Sequence, residues 1–312
     1  MEKLTDLIFR YAIIFGKRFS IKDKIAFLRV ITKELMQLNY RVDTKVAKLA
    51  LTNKKNQHYY NAYIGDLEKA DLIIATYYDT AITNFNLLKT YAFQHQFSKI
   101  SYFIGIAPII FVFLLSVILN WFIFIPHIQY EGFFSVSGIL TVLSTLFLFY
   151  LILKYKNGIP NKNNFVCNSS SIITIINLIQ KLDKKEKKKI AFVLLDAGCT
   201  NQYGLKMLEN YSKTVHEKTF IFLDSIGNGD ELCFFKSPKS KLNMPNQTIN
   251  INTIDTSLTD YLLISSGKVS TNKQILIANA HSRKDKQLSP ERLEKHTQTL
   301  LELCQNFIQQ ST

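Results

Sequence analysis

Five short stretches carry side chains able to do chemistry, and each falls beside a patterned apolar segment. Tyr77 and Asp79 follow the run 71–76. Asp196 follows Ile190–Leu195, with Gly198 and Cys199 just beyond it. Asp224 closes Phe220–Leu223, and His281 follows Gln274–Ala278. Cys167 and Asn168 precede a helical pattern that begins at Ser169. Together they supply two thiols, two or three carboxylates and one imidazole. Such a set serves acid–base, metal or thiol chemistry once it converges.

Convergence requires the elements behind these residues to share one sheet edge. Apolar periodicity predicts a helix over 22–38, strands over 45–52, 59–64 and 71–76, and a helix over 169–182. Ile190–Leu195, Phe220–Leu223 and Gln274–Ala278 read as buried strands of a parallel sheet. A short helix is expected near 203–212. A closing helix over 290–309 has Ser289 as N-cap and Pro290 in its first turn. Leu4, Leu7, Ile8, Tyr11, Ile14 and Phe15 fall near helical spacing, which predicts a helix packed on the domain, with an interfacial helix as the alternative. Strands alternating with helices imply an α/β sheet with a pocket beyond its carboxyl ends. His58, His95, His216 and His296 stand in polar surroundings and read as surface residues.

The chain has 312 residues, a formal charge of +14, 47% hydrophobic and 20% charged residues. That much apolar material excludes disorder as the main state, and that many charges exclude a polytopic transporter. Four cysteines without a CxxC pair exclude a disulfide scaffold. No glycine-rich phosphate loop is present, since Gly227-Asn228-Gly229 opens no clear helix. Nucleic acid is not an expected partner, because charge alone would support it.

One region departs from the average. From Ser101 to Leu153 the only charged residue is Glu131. Two apolar spans, about 102–125 and 132–153, are each long enough to cross about 30 Å of hydrocarbon. The expected turn between them is 126–131, with Trp121, Pro126 and Tyr130 at the interface. Lys89 and Lys99 precede the hairpin, and Lys154, Lys156 and Lys162 follow it. By the positive-inside rule an integral membrane protein is expected, with both termini and the soluble part cytoplasmic and a lipid bilayer as partner. The expected division is 1–100 and 156–312 as two parts of one α/β domain, interrupted by a transmembrane hairpin at 101–155. The basic run 184–189 reads as a solvated turn, with anionic headgroups as its functional alternative.

At the polar strand ends the sequence resembles the M-28 family of zinc aminopeptidases and glutaminyl cyclases. Ala75-Thr76-Tyr77-Tyr78-Asp79-Thr80 resembles the family's Ala-His-Tyr-Asp-(Ser/Thr) strand end. Cys167-Asn168-Ser169-Ser170-Ser171 resembles its Asp-Asn-(Ala/Ser)-Ser-Gly helix start. Leu195-Asp196-Ala197-Gly198-Cys199 resembles Phe-Asp-Ala-Glu-Glu, and Phe222-Leu223-Asp224-Ser225-Ile226-Gly227 resembles Asn-Leu-Asp-Met-Ile-Gly. His281, with Pro290-Glu291-Arg292-Leu293 after it, resembles the late His and its helix. The resemblance implies a three-layer α/β/α sandwich with a mostly parallel mixed sheet. In the family, the stretch that holds the hairpin here lies at the rim of the cleft, which implies a cleft near the bilayer.

The departures bear on activity. The resemblance places Tyr77 at the first zinc-ligand His, Cys167 at the bridging Asp, Gly198 at the base Glu and Cys199 at the ligand Glu. Asp224 and His281 keep family identity. Glycine cannot take a proton from water, and a di-zinc centre without its bridging carboxylate lacks charge balance. The expectation is therefore a pseudoenzyme with no catalytic residue and no cofactor, whose cleft is lined by Tyr77, Asp79, Asn168 and Asp196. It would serve as a peptide-binding or scaffold subunit of a membrane complex, with a membrane protein or a peptide as partner. The alternative is an active zinc hydrolase or cyclase with a single ion held by Cys167, Cys199, His281 and Asp224. A Cys167 nucleophile with His281 as base is a further option. A third keeps the hairpin as the functional part, with Gly105, Ala107, Ser116, Ser135, Ser137 and Gly138 permitting close helix contact.

Overall fold

A computed structural model describes residues 2–50, 56–83, 85, 87–93, 99–240, 242, 254, 256–270, 274–278, 280 and 282–310. His281 and His95, with the others omitted, lie outside the described residues. The chain divides into two units: 1–81, 86–97 and 161–312 form one, and 82–85 and 98–160 the other.

The larger unit begins with helix α1 (Glu2–Ile8), which continues as a π-helical segment (Phe9–Ile14). Helix α2 (Ile21–Gln37) follows, opened by a capping box. Ser20 accepts from the Asp23 N–H at 3.2 Å, and Asp23 accepts from the Ser20 N–H at 3.1 Å. Such a cap contributes about 1 kcal/mol. Seven strands form one mixed sheet: β1 (Val42–Ala50), β2 (Asn56–Ile64), β3 (Leu72–Tyr77), β4 (Ile190–Leu195), β5 (Thr219–Asp224), β6 (Leu232–Lys236) and β7 (Tyr261–Ser266). Their order is β1-β2-β4-β3-β5-β7-β6. The central four (β4, β3, β5, β7) are parallel, and the outer pairings are antiparallel.

The apolar strands feed two cores by simple alternation. On β3, Leu72 and Ile74 face one side, while Ile73, Ala75 and Tyr77 face the other. The first side is covered by α1, α2, the helix at Ser170–Lys181 and the closing helix at Pro290–Gln310. The second is covered by the short helix at Tyr203–Glu209 and by loops that bring Val215, Leu258, Ile275 and Ile277 inward. This is the α/β/α layering expected from the sequence.

Several details differ from the sequence expectation. Gln274–Ala278 is not a ladder strand; it makes isolated bridges, Ile275 to Val269 and Leu276 to Tyr91. The place beside β5 belongs to β7, whose Leu262, Leu263 and Ile264 are as apolar and have a partner on each side. His296 is buried, its ring nitrogens meeting the carbonyls of Ile226 at 2.8 Å and Asp230 at 3.3 Å. It lies on the same helix face as Leu293, Leu300 and Leu303, a spacing the sequence already contains.

The smaller unit is a helical hairpin. Helix α3 (Lys99–Leu119) runs through a π-helical segment (Asn120–Phe124) into α4 (Ile125–Glu131), and α5 (Val136–Tyr155) returns. The turn is therefore 132–135 and not 126–131. Gly132, at φ 87°, makes the reversal. Pro126 is the second residue of α4, directly after the π-helical segment. Trp121 and Tyr130 are exposed. Ile100–Glu131 and Val136–Tyr155 are long and apolar enough to cross a membrane, and only 6% of each apolar window is buried. Within the hairpin, Asn120 Nδ2 donates to the Ser116 carbonyl at 2.7 Å and to Ser144 Oγ at 3.2 Å.

Candidate functional site

The carboxyl ends of β3, β4 and β5 lie side by side in the larger unit, which brings Tyr77, Asp79, Asp196 and Asp224 to one sheet edge. At β4 and β5 the backbone turns the same way. The residue after each strand-end aspartate, Ala197 (φ 59°) and Ser225 (φ 53°), is left-handed. A non-glycine residue in that region costs about 1–2 kcal/mol and is held by its surroundings.

Asp79 and Asp196 are part of a buried charge cluster. Asp79 accepts from the N–H groups of Gly198 at 2.7 Å and Cys199 at 3.1 Å. Asp196 accepts from the Tyr60 N–H at 3.0 Å and pairs with the Lys24 ammonium at 2.5 Å. Burial raises the Asp79 carboxyl above its ordinary range; Lys24 opposes that shift and Asp196 adds to it. For Lys24, burial works downward, but Asp79 and Asp196 overcome it and the ammonium is held above its usual value. Arg18 lies close by and is wholly buried. It donates to the carbonyls of Tyr78 at 2.5 Å, Tyr11 at 3.0 Å and Phe15 at 2.6 Å, and to Ser169 Oγ at 3.1 Å. Burial lowers it to about 10, with Asp79 opposing. Sequence reading did not single out Arg18 or Lys24, because neither stands in a motif.

The thiols occupy the other part of the edge. The Cys167 thiol donates to Asp285 Oδ2 at 3.6 Å, and Asp285 Oδ1 accepts from the Val166 N–H at 2.9 Å. Asp285 is buried and was not singled out by sequence. The Cys199 thiol donates to the Asp79 carbonyl at 3.4 Å. Asn168 Nδ2 donates to the same carbonyl at 3.0 Å and reaches Cys199 Sγ at 3.7 Å. Burial pushes both thiols well above their usual values, with Asp285 adding at Cys167 and Asp79 at Cys199. Each thiol is set as a hydrogen-bond donor to an oxygen in this arrangement. Asp224 accepts from the Phe93 N–H at 2.6 Å and from Ser225 Oγ at 2.8 Å.

Among the described residues no group of three or more His, Cys, Asp or Glu side chains is placed to hold a metal ion. Of the zinc set expected from sequence, Cys167, Cys199 and Asp224 are spent on other partners, and His281 lies outside the described residues. The described donors do not fit a zinc ion as they stand.

Tyr77 and Gly198 meet. A Cβ added at Gly198 would fall on the Tyr77 ring, against its Cγ and Cδ1 atoms. The Tyr77 hydroxyl is buried without a hydrogen-bond partner among the described residues, and burial holds it far above its ordinary value. A cavity of about 400 Å³ opens beside Val166, the neighbour of Cys167, and is lined also by Asn228, Lys284, Leu288 and Arg292 among others.

No protein-family model matches the chain. No curated protein matches it in sequence. Solved structures do match its fold. Porphyromonas gingivalis glutaminyl cyclase is 10% identical, over 98% of this chain and 97% of that one, at a TM-score of 0.58. A Zn-dependent exopeptidase from Parabacteroides distasonis is 12% identical, over 96% and 94%, at 0.55. Bacteroides thetaiotaomicron glutaminyl cyclase, solved with N-acetylhistamine, is 13% identical over the same shares, at 0.54. The larger unit therefore has a zinc exopeptidase and glutaminyl cyclase-like fold. At these identities the likeness defines the fold and leaves the activity open.

Proposed function

We propose that the chain is a membrane-anchored, catalytically degenerate peptidase-like protein, serving as a peptide-binding or scaffold subunit of a membrane complex. The observation that carries this reading is the meeting of Tyr77 with Gly198. On the resemblance, Gly198 stands where the catalytic base would be and Tyr77 where a zinc ligand would be. One ring fills the space a base side chain would need, so the two departures support each other sterically. The hydrogen bonds that Cys167 and Cys199 make to Asp285 and to the Asp79 carbonyl favour the same reading. The cavity beside Val166, with Lys284 in its wall and Arg292 paired there with Asp230, offers a peptide's acidic group a seat at Lys284. Anchoring rests on the two long exposed apolar helices, and cytoplasmic termini rest on the lysines that flank them.

The test is zinc content and turnover of the full chain, purified in mild detergent and supplied with zinc. Aminopeptidase and glutaminyl-cyclase substrates should give no turnover, and zinc should stay well below one ion per chain. Turnover that requires zinc and disappears in Cys199→Ser would overturn the reading in favour of the Cys/Cys/His/Asp enzyme. Anchoring is tested separately, by resistance of the chain to alkaline extraction from membranes. Labelling of His127→Cys from the cytoplasmic side of intact cells would reverse the proposed orientation.

A further inference from the structure

We infer that the N-terminal helical segment of the larger unit docks on the headgroup region of an anionic bilayer, through an apolar face that the fold leaves uncovered. The inference rests on the membrane anchoring proposed above. Helix α1 and its π-helical continuation carry two apolar faces. Leu4, Leu7 and Tyr11 are buried against the core. Phe9, Ile13 and Ile14 are 52%, 55% and 57% exposed. The π-helical turn explains why these three stand together. Its i→i+5 period is wider than that of an α-helix, so positions four and five residues on both return to the face of the first. An α-helix would have turned one of the isoleucines away. Ile21 and Ile25, one turn apart at the start of α2, form a second exposed apolar pair.

Charge decides the occupant. Lys22 and Arg29 are exposed on α2 beside that second pair, and the whole chain carries +14. Exposed Phe and Ile next to Lys and Arg is the composition of segments that lie in the interface, with the apolar side about 5–10 Å deep and the cations at anionic headgroups. A neutral apolar protein partner would gain nothing from the cations. The hairpin adds a kinetic and entropic advantage. A unit already tethered to the membrane meets the surface at high effective concentration, so a small apolar face suffices to hold it.

The experiment uses the full chain in vesicles of phosphatidylglycerol and phosphatidylcholine, with a nitroxide at one introduced cysteine. The four native cysteines are all buried, which leaves the introduced thiol as the reactive one. Labels go at Ile13→Cys, at Phe113→Cys within α3, and at Gln37→Cys, exposed at the far end of α2. Oxygen, which concentrates in lipid, and a water-soluble nickel chelate compete as relaxation agents. Docking is expected to make the label at 13 favour oxygen several-fold, as at 113, while the label at 37 favours the chelate. Removal of phosphatidylglycerol should reduce the preference at 13 and leave 113 unchanged. A label at 13 that favours the chelate while 113 favours oxygen would overturn docking and leave the anchor standing. Chelate access at 113 would overturn both. A label at 13 shielded from both agents would assign the face to a protein partner or a second copy, and would also overturn docking on lipid.

Discussion

The helix at Ser170–Lys181 (α6 in chain order) and the hairpin helix α5 are both mostly apolar, and they handle polar side chains differently. In α6 nearly every residue is buried; Ser170 bonds back to the Val166 carbonyl, Ser171 and Thr174 find no partner among the described residues, and Asn177 reaches outward. Asn177 donates to Glu294 at 2.9 Å and to Thr297 at 3.2 Å on the closing helix, more than a hundred residues away. In α5 almost nothing is buried, and hydroxyls turn back on their own helix. Thr141 donates to the Ser137 carbonyl at 2.9 Å and Thr145 to the Thr141 carbonyl at 2.8 Å. A helix with few neighbours in its own chain satisfies its polar groups locally, because no distant partner is guaranteed. A helix inside a folded unit can trade with elements far along the chain. The contrast predicts that polar substitutions in the larger unit are costly and those in the hairpin are mild.

The largest effect should come from Arg18, which ties the π-helical segment, the residues after β3 and Ser169 together. Arg18→Ala would leave three carbonyls without their buried donor, at a cost of about 3–5 kcal/mol. A collapse of the thermal transition of the detergent-solubilised chain would register it. Lys24→Met should follow, at about 3 kcal/mol, because Asp196 stays buried without its ammonium. A loss as small as that of a surface ion pair would break the contrast.

The meeting of Tyr77 and Gly198 gives the next test. Gly198→Ala should destabilise by about 1–3 kcal/mol through overpacking. Tyr77→Ala should relieve most of that loss, so the double variant should be far from the sum of the singles. Additive effects would remove the steric link on which the proposed loss of catalysis leans.

The pH dependence turns on Asp79. Its folded carboxyl is held above the unfolded value by burial, so the folded state binds the proton more tightly. Stability from this group is present at low pH and falls as pH rises through the folded value. Asp79→Asn removes that loss, and its melting temperature relative to the parent should climb from mildly acidic to neutral pH. A flat difference would refute the sign.

The smallest effect belongs to the hairpin. Asn120→Leu gives up the bond to Ser144 Oγ, worth about 0.6 kcal/mol in the bilayer setting proposed above. Titration with a denaturing detergent should barely distinguish it from the parent, and a loss of several kcal/mol would break the contrast between the two units.

The sequence alone determined the strand–helix alternation, the two apolar spans and the strand ends where Tyr77, Asp79, Asp196 and Asp224 gather. Alternation and run length are local properties, written in neighbouring residues. His296 was legible in principle, since it shares the period of Leu293 and Leu300. The choice of β7 over Gln274–Ala278 was not, because two runs of equal apolarity differ only in which finds partners on both sides. Only the tertiary structure placed Arg18 and Lys24 beside Asp79 and Asp196, set Asp285 against the Cys167 thiol, and pressed Tyr77 onto Gly198. Those contacts join residues as much as 172 apart in the chain, and the distance between such residues is fixed by packing, not by any pattern their neighbours carry.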